Sequence, residues 1–353
     1  MENRKIWLIT DTHFGYKGDD DEILNDCIGY FEDVVIPIMR KEVKPGDIMV
    51  HLGDVFDNRA TIGLNTITRV IRLFEHFSAI FNDIRITVGN HDIMKKSSND
   101  ITSLNMLKYI PNVKIYYEPI VEVIDGKICF FNPWVENPDK EREYLSGINA
   151  DYIFGHLEIG GSQMSNRSGV KIEFTGGIKP SDFKNAQVYA GHIHIRQDNK
   201  NIHYIGNPYH KDRGDRGNIK GITVLDLKSG KTRFIENTVS PKFMKEYIYD
   251  ILNMTVGDLK ERWKNNRIEL HINSTDISRC NFDDLRSCLN TVYKSFDPIG
   301  DYVVQDFNIA TDASFSNAKS SDDYIDDFLK NQDLTDDMME CVRRKMEEYK
   351  DRL

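Results

Sequence analysis

The stretch "VYAGHIHIRQ", Val188–Gln197, is an apolar run that stops at a glycine and then sets two histidines around one isoleucine. If the extended conformation continues through it, side chains alternate faces. His192 and His194 then project to one side, roughly 6 to 7 Å apart along the chain, and Ile193 projects to the other. Polar residues on a wet strand face, histidines filling a core and a pair of metal ligands all fit that pattern by itself. The rest of the chain has to discriminate among them.

Four other segments share the layout. "KIWLIT" ends in Asp11-Thr12-His13, "DIMVHL" in Gly53-Asp54, "IRITV" in Gly89-Asn90-His91-Asp92 and "DYIF" in Gly155-His156. The early strands alternate with helical patterns over Glu22–Arg40 and Thr61–Phe77, which predicts an α/β sheet flanked by helices. Ligands of such sheets collect at the carboxyl ends of the strands, where all five polar clusters fall, so one site can gather them. "IHYIGNP" and "GITVLDLKSGKTRFIEN" read as further strands, the latter a hairpin turned at Ser229-Gly230.

Beyond Pro241 the pattern changes. Residues 241–310 mix a helix at Thr255–Asn265, the strand "RIELHINS", a helix at Phe282–Lys294 and the strand "YVVQDFNIA", which suits a small α+β domain. Residues 311–320, "TDASFSNAKS", read as a linker. Ser320-x-x-Asp323 opens a helix, and Thr335 caps a second whose Met339, Val342, Met346, Tyr349 and Leu353 fall three and four apart. By pattern alone, that stripe fits ordinary helix packing and a partner surface equally well.

The chain has 353 residues, 40% of them apolar and 29% charged, as in a globular protein. No apolar run approaches a membrane span, and "MENRKIWLIT" lacks a signal-peptide layout, so a chain of the cytoplasm is expected. Five scattered cysteines without a C-x-x-C pair argue for a reducing compartment and against a zinc ribbon. Half of the net charge of −10 lies in residues 311–353, with twelve acidic and seven basic side chains. The main body is therefore close to balanced, and bound divalent cations would reverse the sign at a site built from aspartates. Bulk charge does not exclude a nucleic-acid partner.

Two-metal hydrolases need oxygen and imidazole ligands, a bridging carboxylate and metals roughly 3.5–4 Å apart. The strand-end clusters supply that inventory in Asp11, His13, Asp54, Asn90, His156, His192 and His194. The ordered set D-x-H, G-D-x-x-D, G-N-H-D, G-H and G-H-x-H resembles the calcineurin-like metallophosphoesterase superfamily. That resemblance implies a β-sandwich flanked by helices. Asp11, His13, Asp54 and His194 would hold one metal; Asp54, Asn90, His156 and His192 would hold the other, with Asp54 bridging. Hard oxygens and imidazoles without thiolate suit Mn²⁺, though Fe or Zn fits the same donors. The resemblance makes His91 the acid that assists the leaving oxygen, oriented by Asp57.

The bridging motif continues Asp57-Asn58-Arg59-Ala60, unlike the G-D-x-x-D-R-G of protein phosphatases. Length, order of parts and stretches such as "HLGDVFDNRA", "TVGNHD" and "YIGNPYHKDRGDRG" are similar to the SbcD-type nuclease subunits of recombination and double-strand-break repair complexes, the phage members above all. This implies a catalytic domain over 1–240 and a capping, DNA-binding domain over 241–310. A C-terminal helical hairpin at 321–353 would bind an ABC-type coiled-coil ATPase. The expected activity is Mn²⁺-dependent cleavage of DNA, 3′–5′ on duplex ends and endonucleolytic on single strands. A homodimer, no membrane and, for a phage protein, the host cytoplasm are also expected. The chain has no G-x-x-x-x-G-K-[ST] loop of its own, which suits an ATPase in trans. Arg59, and Arg213 and Arg216 in the loop 210–221, are candidate DNA-backbone contacts; a solvated turn balanced by Asp212 and Asp215 explains the loop nearly as well. A small-molecule or nucleotide phosphodiesterase, or a mainly architectural subunit, remains open at this point.

Overall fold

The computed structural model describes residues 3–272, apart from 96–97, 166–168 and 252, together with 295–300. Two six-stranded mixed sheets face each other. The first runs Thr232–Glu236, Gly221–Asp226, Lys5–Ile9, Ile48–His51, Ile84–Thr87 and Val113–Tyr116, parallel from the third strand to the sixth. The second runs Gln197–Asn199, Ile202–Tyr204, Gln187–Gly191, Tyr152–His156, Lys127–Asn132 and Ile120–Ile124, with its four central strands parallel.

Strand alternation assigns the layers. Ile6, Leu8, Ile48 and Val50 turn inward against Phe131, Phe154 and Tyr189 of the second sheet. Trp7, Ile9 and Met49 turn outward against the helices, joining Phe31, Phe74 and Phe77. Ile153, Val188 and Ala190 do the same on the far face, against Leu157 and Phe183. With both faces buried, these strands are continuous apolar runs instead of alternating ones. The expected α/β sandwich with flanking helices is therefore found, and the five strands before the polar clusters all form.

The helix predicted over Glu22–Arg40 forms in three pieces: Asp21–Tyr30, a wide π turn over Phe31–Val35, and Ile36–Glu42. Pro37 has no N–H for the Asp33 carbonyl, so the ladder widens before it. The second helix runs Leu64–Ser78, burying Thr66, Val70, Leu73, Phe74 and Phe77 on one face.

After the sandwich, Phe243–Tyr247, Arg267–Ile272 and Ser295–Gly300 form a three-stranded parallel sheet. Its core gathers Ile248, Ile251, Leu259, Trp263, Ile268 and Leu270, beneath the helix Val256–Trp263 capped by Thr255. Ser295–Gly300, given no element from the sequence, contains Pro298 and is an edge strand among the described residues, where proline is tolerated. The expected helix at 282–294, the strand in "YVVQDFNIA", the linker and the helical hairpin lie outside the described residues. No helix among the described residues is long and apolar enough to cross a membrane.

Candidate metal centre

The loops after the five strands interlock at one end of the sandwich. Asp11 N donates to Gly53 O (3.0 Å), His13 N to Asp54 O (3.0 Å) and His192 N to the Asp11 carboxylate (3.0 Å). The motif glycines follow from this crowding. A Cβ on Gly89 would stand 2.2 Å from Asp54 Oδ1, and one on Gly191 would stand 2.1 Å from Thr10 Oγ1. Asp11, His13, Asp54 and His192 all take the left-handed backbone region, with φ of 49°, 43°, 54° and 86°. Four such non-glycine residues at one place are strained backbone that the surrounding bonds must hold.

Asp92 does much of that holding. Its buried carboxylate accepts from the amides of Asp54 (2.8 Å), Val55 (3.0 Å), Phe56 (3.3 Å) and Gly89 (2.9 Å), clamping two motif loops together. Sequence reading gave it no role. An aspartate closing a G-N-H-D turn beside a second strand end was the available signal.

All seven predicted metal ligands converge. His13 Nε2 lies 3.1 Å from His194 Nε2, 3.6 Å from Asp54 Oδ2 and 3.8 Å from Asp11 Oδ1. His156 Nε2 lies 2.9 Å from Asn90 Oδ1, 3.4 Å from Asp54 Oδ2 and 3.3 Å from His192 Nδ1. His192 Nδ1 lies 3.0 Å from the same Asn90 oxygen. Asp54 stands between the two groups, reaching one imidazole of each.

These contacts bring acceptor against acceptor. His156 Nδ1 faces the Leu52 carbonyl at 2.8 Å and must donate to it, so on the neutral ring the lone pair of Nε2 points at the oxygens of Asn90 and Asp54. His13 Nδ1 lies 3.3 Å from Asp57 Oδ1, which turns the Nε2 lone pair of the neutral ring toward the His194 imidazole. Buried oxygens and ring nitrogens gathered at such distances are satisfied by shared protons or by a cation among them. The chemistry of the donors, carboxylate and amide oxygens with imidazole nitrogens, fits hard or borderline divalent ions. Three overlapping groups could hold an ion: Asp11, His13 and His194; Asp11, Asp54 and His156; and His13, Asp54 and His91.

Burial dominates the electrostatics. It pushes the Asp11 carboxyl up to about 6 and pulls His13 and His192 down to about 4, favouring uncharged imidazoles that can ligate. Burial opposes charge on His156 too, yet Asp54 and Asp11 overcome it and push that imidazole up to about 10. Burial would also raise Asp54, but the surrounding histidines, His156 foremost, hold its carboxyl well below the usual range.

Three sequence readings need correction. The strand before the histidine pair ends at Gly191, so His192 and His194 do not alternate along a strand; the left-handed turn at His192 aims each into a different group. Asp57 does not orient His91 through its carboxylate. His91 Nδ1 faces the Asp57 backbone carbonyl at 2.7 Å, while that carboxylate meets His13 and, at 2.8 Å, Lys211 Nζ. Arg213 and Arg216 are not unattached cations on a solvated turn, although the Arg213 side chain keeps 40% of its surface exposed. Both pair with Glu269 of the small sheet, at 2.7 and 2.6 Å, because burying that carboxylate between the layers requires countercharge. In the same loop, Lys220 is buried and bonds Asp215, Asn207 and the His194 carbonyl. Arg59 is half-buried in the loop after Asp54 and outside all three ligand groups. His51 is buried, with Nε2 3.2 Å from Thr12 Oγ1.

Residues 4–196 match the calcineurin-like phosphoesterase family, more than half of the chain. The chain belongs to that family and is a metal-dependent phosphodiesterase, a hydrolase using divalent metal. Among characterised relatives it is similar to exonuclease subunit 1 of Enterobacteria phage T4, with 28% identity over 240 residues covering 67% of this chain and 68% of that one. Among solved structures, an archaeal phosphodiesterase is 18% identical over 66% of this chain and 99% of its own, with a TM-score of 0.33. A protein of unknown function from Aquifex aeolicus is 25% identical over 47% and 83%, with a TM-score of 0.29.

Proposed function

We propose that the chain is a Mn²⁺-dependent DNA nuclease, exonucleolytic from 3′ to 5′ on duplex ends and endonucleolytic on single strands. It works beside an ABC-type ATPase in DNA recombination, repair and end processing. The observation that carries this reading is the convergence of the seven side chains in a chain whose relative is named as an exonuclease subunit. Asp11, His13, Asp54 and His194 would hold one ion, and Asp54, Asn90, His156 and His192 the other. When bound, such ions activate water and neutralise charge developing on phosphate.

The chain's own residues then divide the remaining work. His91 Nδ1 donates to the Asp57 carbonyl, which leaves Nε2 as the nitrogen that would pass a proton to the departing oxygen when the ring carries two. The His91 amide donates to Asp54 Oδ1 at 2.7 Å, which fixes that carboxylate and the acid relative to each other. Lys211 and Asp57 hold the ring of His13. Residues 1–240 form the catalytic domain, 241–310 cap it and contact DNA, 311–320 link, and 321–353 engage the ATPase; two copies pair.

The test is to incubate full-length chain and Mn²⁺ with labelled linear duplex, single-stranded circles and a chromogenic diester, with and without a coiled-coil ATPase. Metal-dependent DNA cleavage is expected. Turnover of the small diester alone would overturn the reading in favour of a nucleotide or small-molecule phosphodiesterase, and binding without cleavage would favour an architectural subunit.

A further inference from the structure

We propose that Glu158 is a positioning residue that fixes the tautomer of His192 and so completes the second cation site. The inference rests on the metal reading above. Glu158 lies in the loop two residues after His156, at the rim of the site, with about a third of its side chain exposed. Its Oε1 stands 3.5 Å from His192 Nε2. The opposite ring nitrogen, Nδ1, faces Asn90 Oδ1 at 3.0 Å and His156 Nε2 at 3.3 Å.

A neutral imidazole carries one proton. With that proton on Nδ1 the ring donates to Asn90 and blocks the site; with it on Nε2 the Nδ1 lone pair points into the cluster. A carboxylate is acceptor-only, so Glu158 draws the proton to Nε2 and leaves Nδ1 as the ligating atom.

The carboxylate is itself held. Trp134 Nε1 donates to Glu158 Oε1 at 3.1 Å, and Trp134 N donates to the carbonyl of Val88 at 2.8 Å, two residues before Asn90. The Glu158 carbonyl accepts from Ile178 N at 2.9 Å. The His192 amide is tied to Asp11, so ring orientation and tautomer are what remain for Glu158 to decide.

Mn²⁺ titration calorimetry on metal-stripped full chain tests this. In Glu158→Ala, one of two Mn²⁺ ions should bind about 10–100-fold more weakly, the other as in wild type. Glu158→Gln keeps an oxygen to accept from Nε2–H and should bind closer to wild type. Thermal unfolding of the metal-stripped Glu158→Ala chain should match wild type, which separates positioning from a merely structural role. His192→Ala is the control that removes the ligand. If it loses one ion while Glu158→Ala keeps both at full affinity, or weakens both equally, Glu158 has no such role. If His192→Ala also keeps both, the metal reading fails and this inference falls with it.

Discussion

Two regions rich in charge lie within a few residues of each other, and they are built on opposite terms. At the strand ends, Asp11, His13, Asp54, Asn90, His156, His192 and His194 press oxygens and ring nitrogens together with no lysine or arginine among them. In the loop 210–221, each lysine and arginine meets a carboxylate: Lys211 with Asp57, Arg213 and Arg216 with Glu269, Lys220 with Asp215. Both regions looked functional in the sequence. The difference teaches that uncompensated convergence marks a place for a ligand, whereas compensated charge marks a fastening.

The largest way to break this comparison is to remove the carboxylate between the two groups. Asp54→Asn should abolish tight uptake of both ions and lower diester turnover by at least about 10³-fold, read by elemental analysis and a chromogenic assay. Retention of two ions would make Asp54 a bystander. Next, His91→Asn should cost about 10²–10⁴-fold in turnover while both ions stay bound, because it removes a proton donor and no proposed ligand. Loss of an ion there would move His91 into the ligand set.

A third consequence concerns pH. His156 is pushed up to about 10 by the carboxylates around it, so the metal-stripped protein holds a proton there at pH 7.5. A ligating imidazole must give that proton up, and this folded-state value lies above the ordinary 6.5. Apparent Mn²⁺ affinity should therefore rise by about tenfold per pH unit up to the His156 value, with about one proton released per chain. Calorimetry in buffers of differing ionisation enthalpy measures the release; none would contradict the protonated state.

The smallest effect belongs to the fastening. Arg213→Gln with Arg216→Gln should leave the salt dependence of DNA binding within a few tenths of the wild-type slope. It should lower stability to urea by about 1–2 kcal/mol, since buried Glu269 is left with His271 but without either arginine. A clearly flattened salt slope would return the two arginines to the DNA interface.

What could be read in advance divides along the same line. The five strands were legible because each is an apolar run cut short by a glycine or aspartate, and the glycines record how closely the loops approach. The metal inventory was legible because its ligands sit at those same strand ends. The partners of the basic loop were not legible. Glu269 lies 53 residues beyond Arg216, and nothing local to "HKDRGDRGNIKG" announces a carboxylate from another sheet. Side-chain aim was also hidden: Asp57 turns its carboxylate to His13 and only its backbone to His91, a choice made by Lys211 from a distant loop. The wide turn before Pro37 and the edge strand around Pro298 likewise depend on how the ladder is completed by neighbours.

The central claim is that seven side chains from both sheets cage a pair of cations joined by Asp54. Electron paramagnetic resonance of the protein loaded with two equivalents of Mn²⁺ addresses it most directly. Ions roughly 3.5–4 Å apart are magnetically coupled and replace the simple six-line spectrum with a broad coupled one. The account predicts that coupled signal, lost in Asp54→Asn; a spectrum of isolated Mn²⁺, or of Mn²⁺ free in solution, would contradict it.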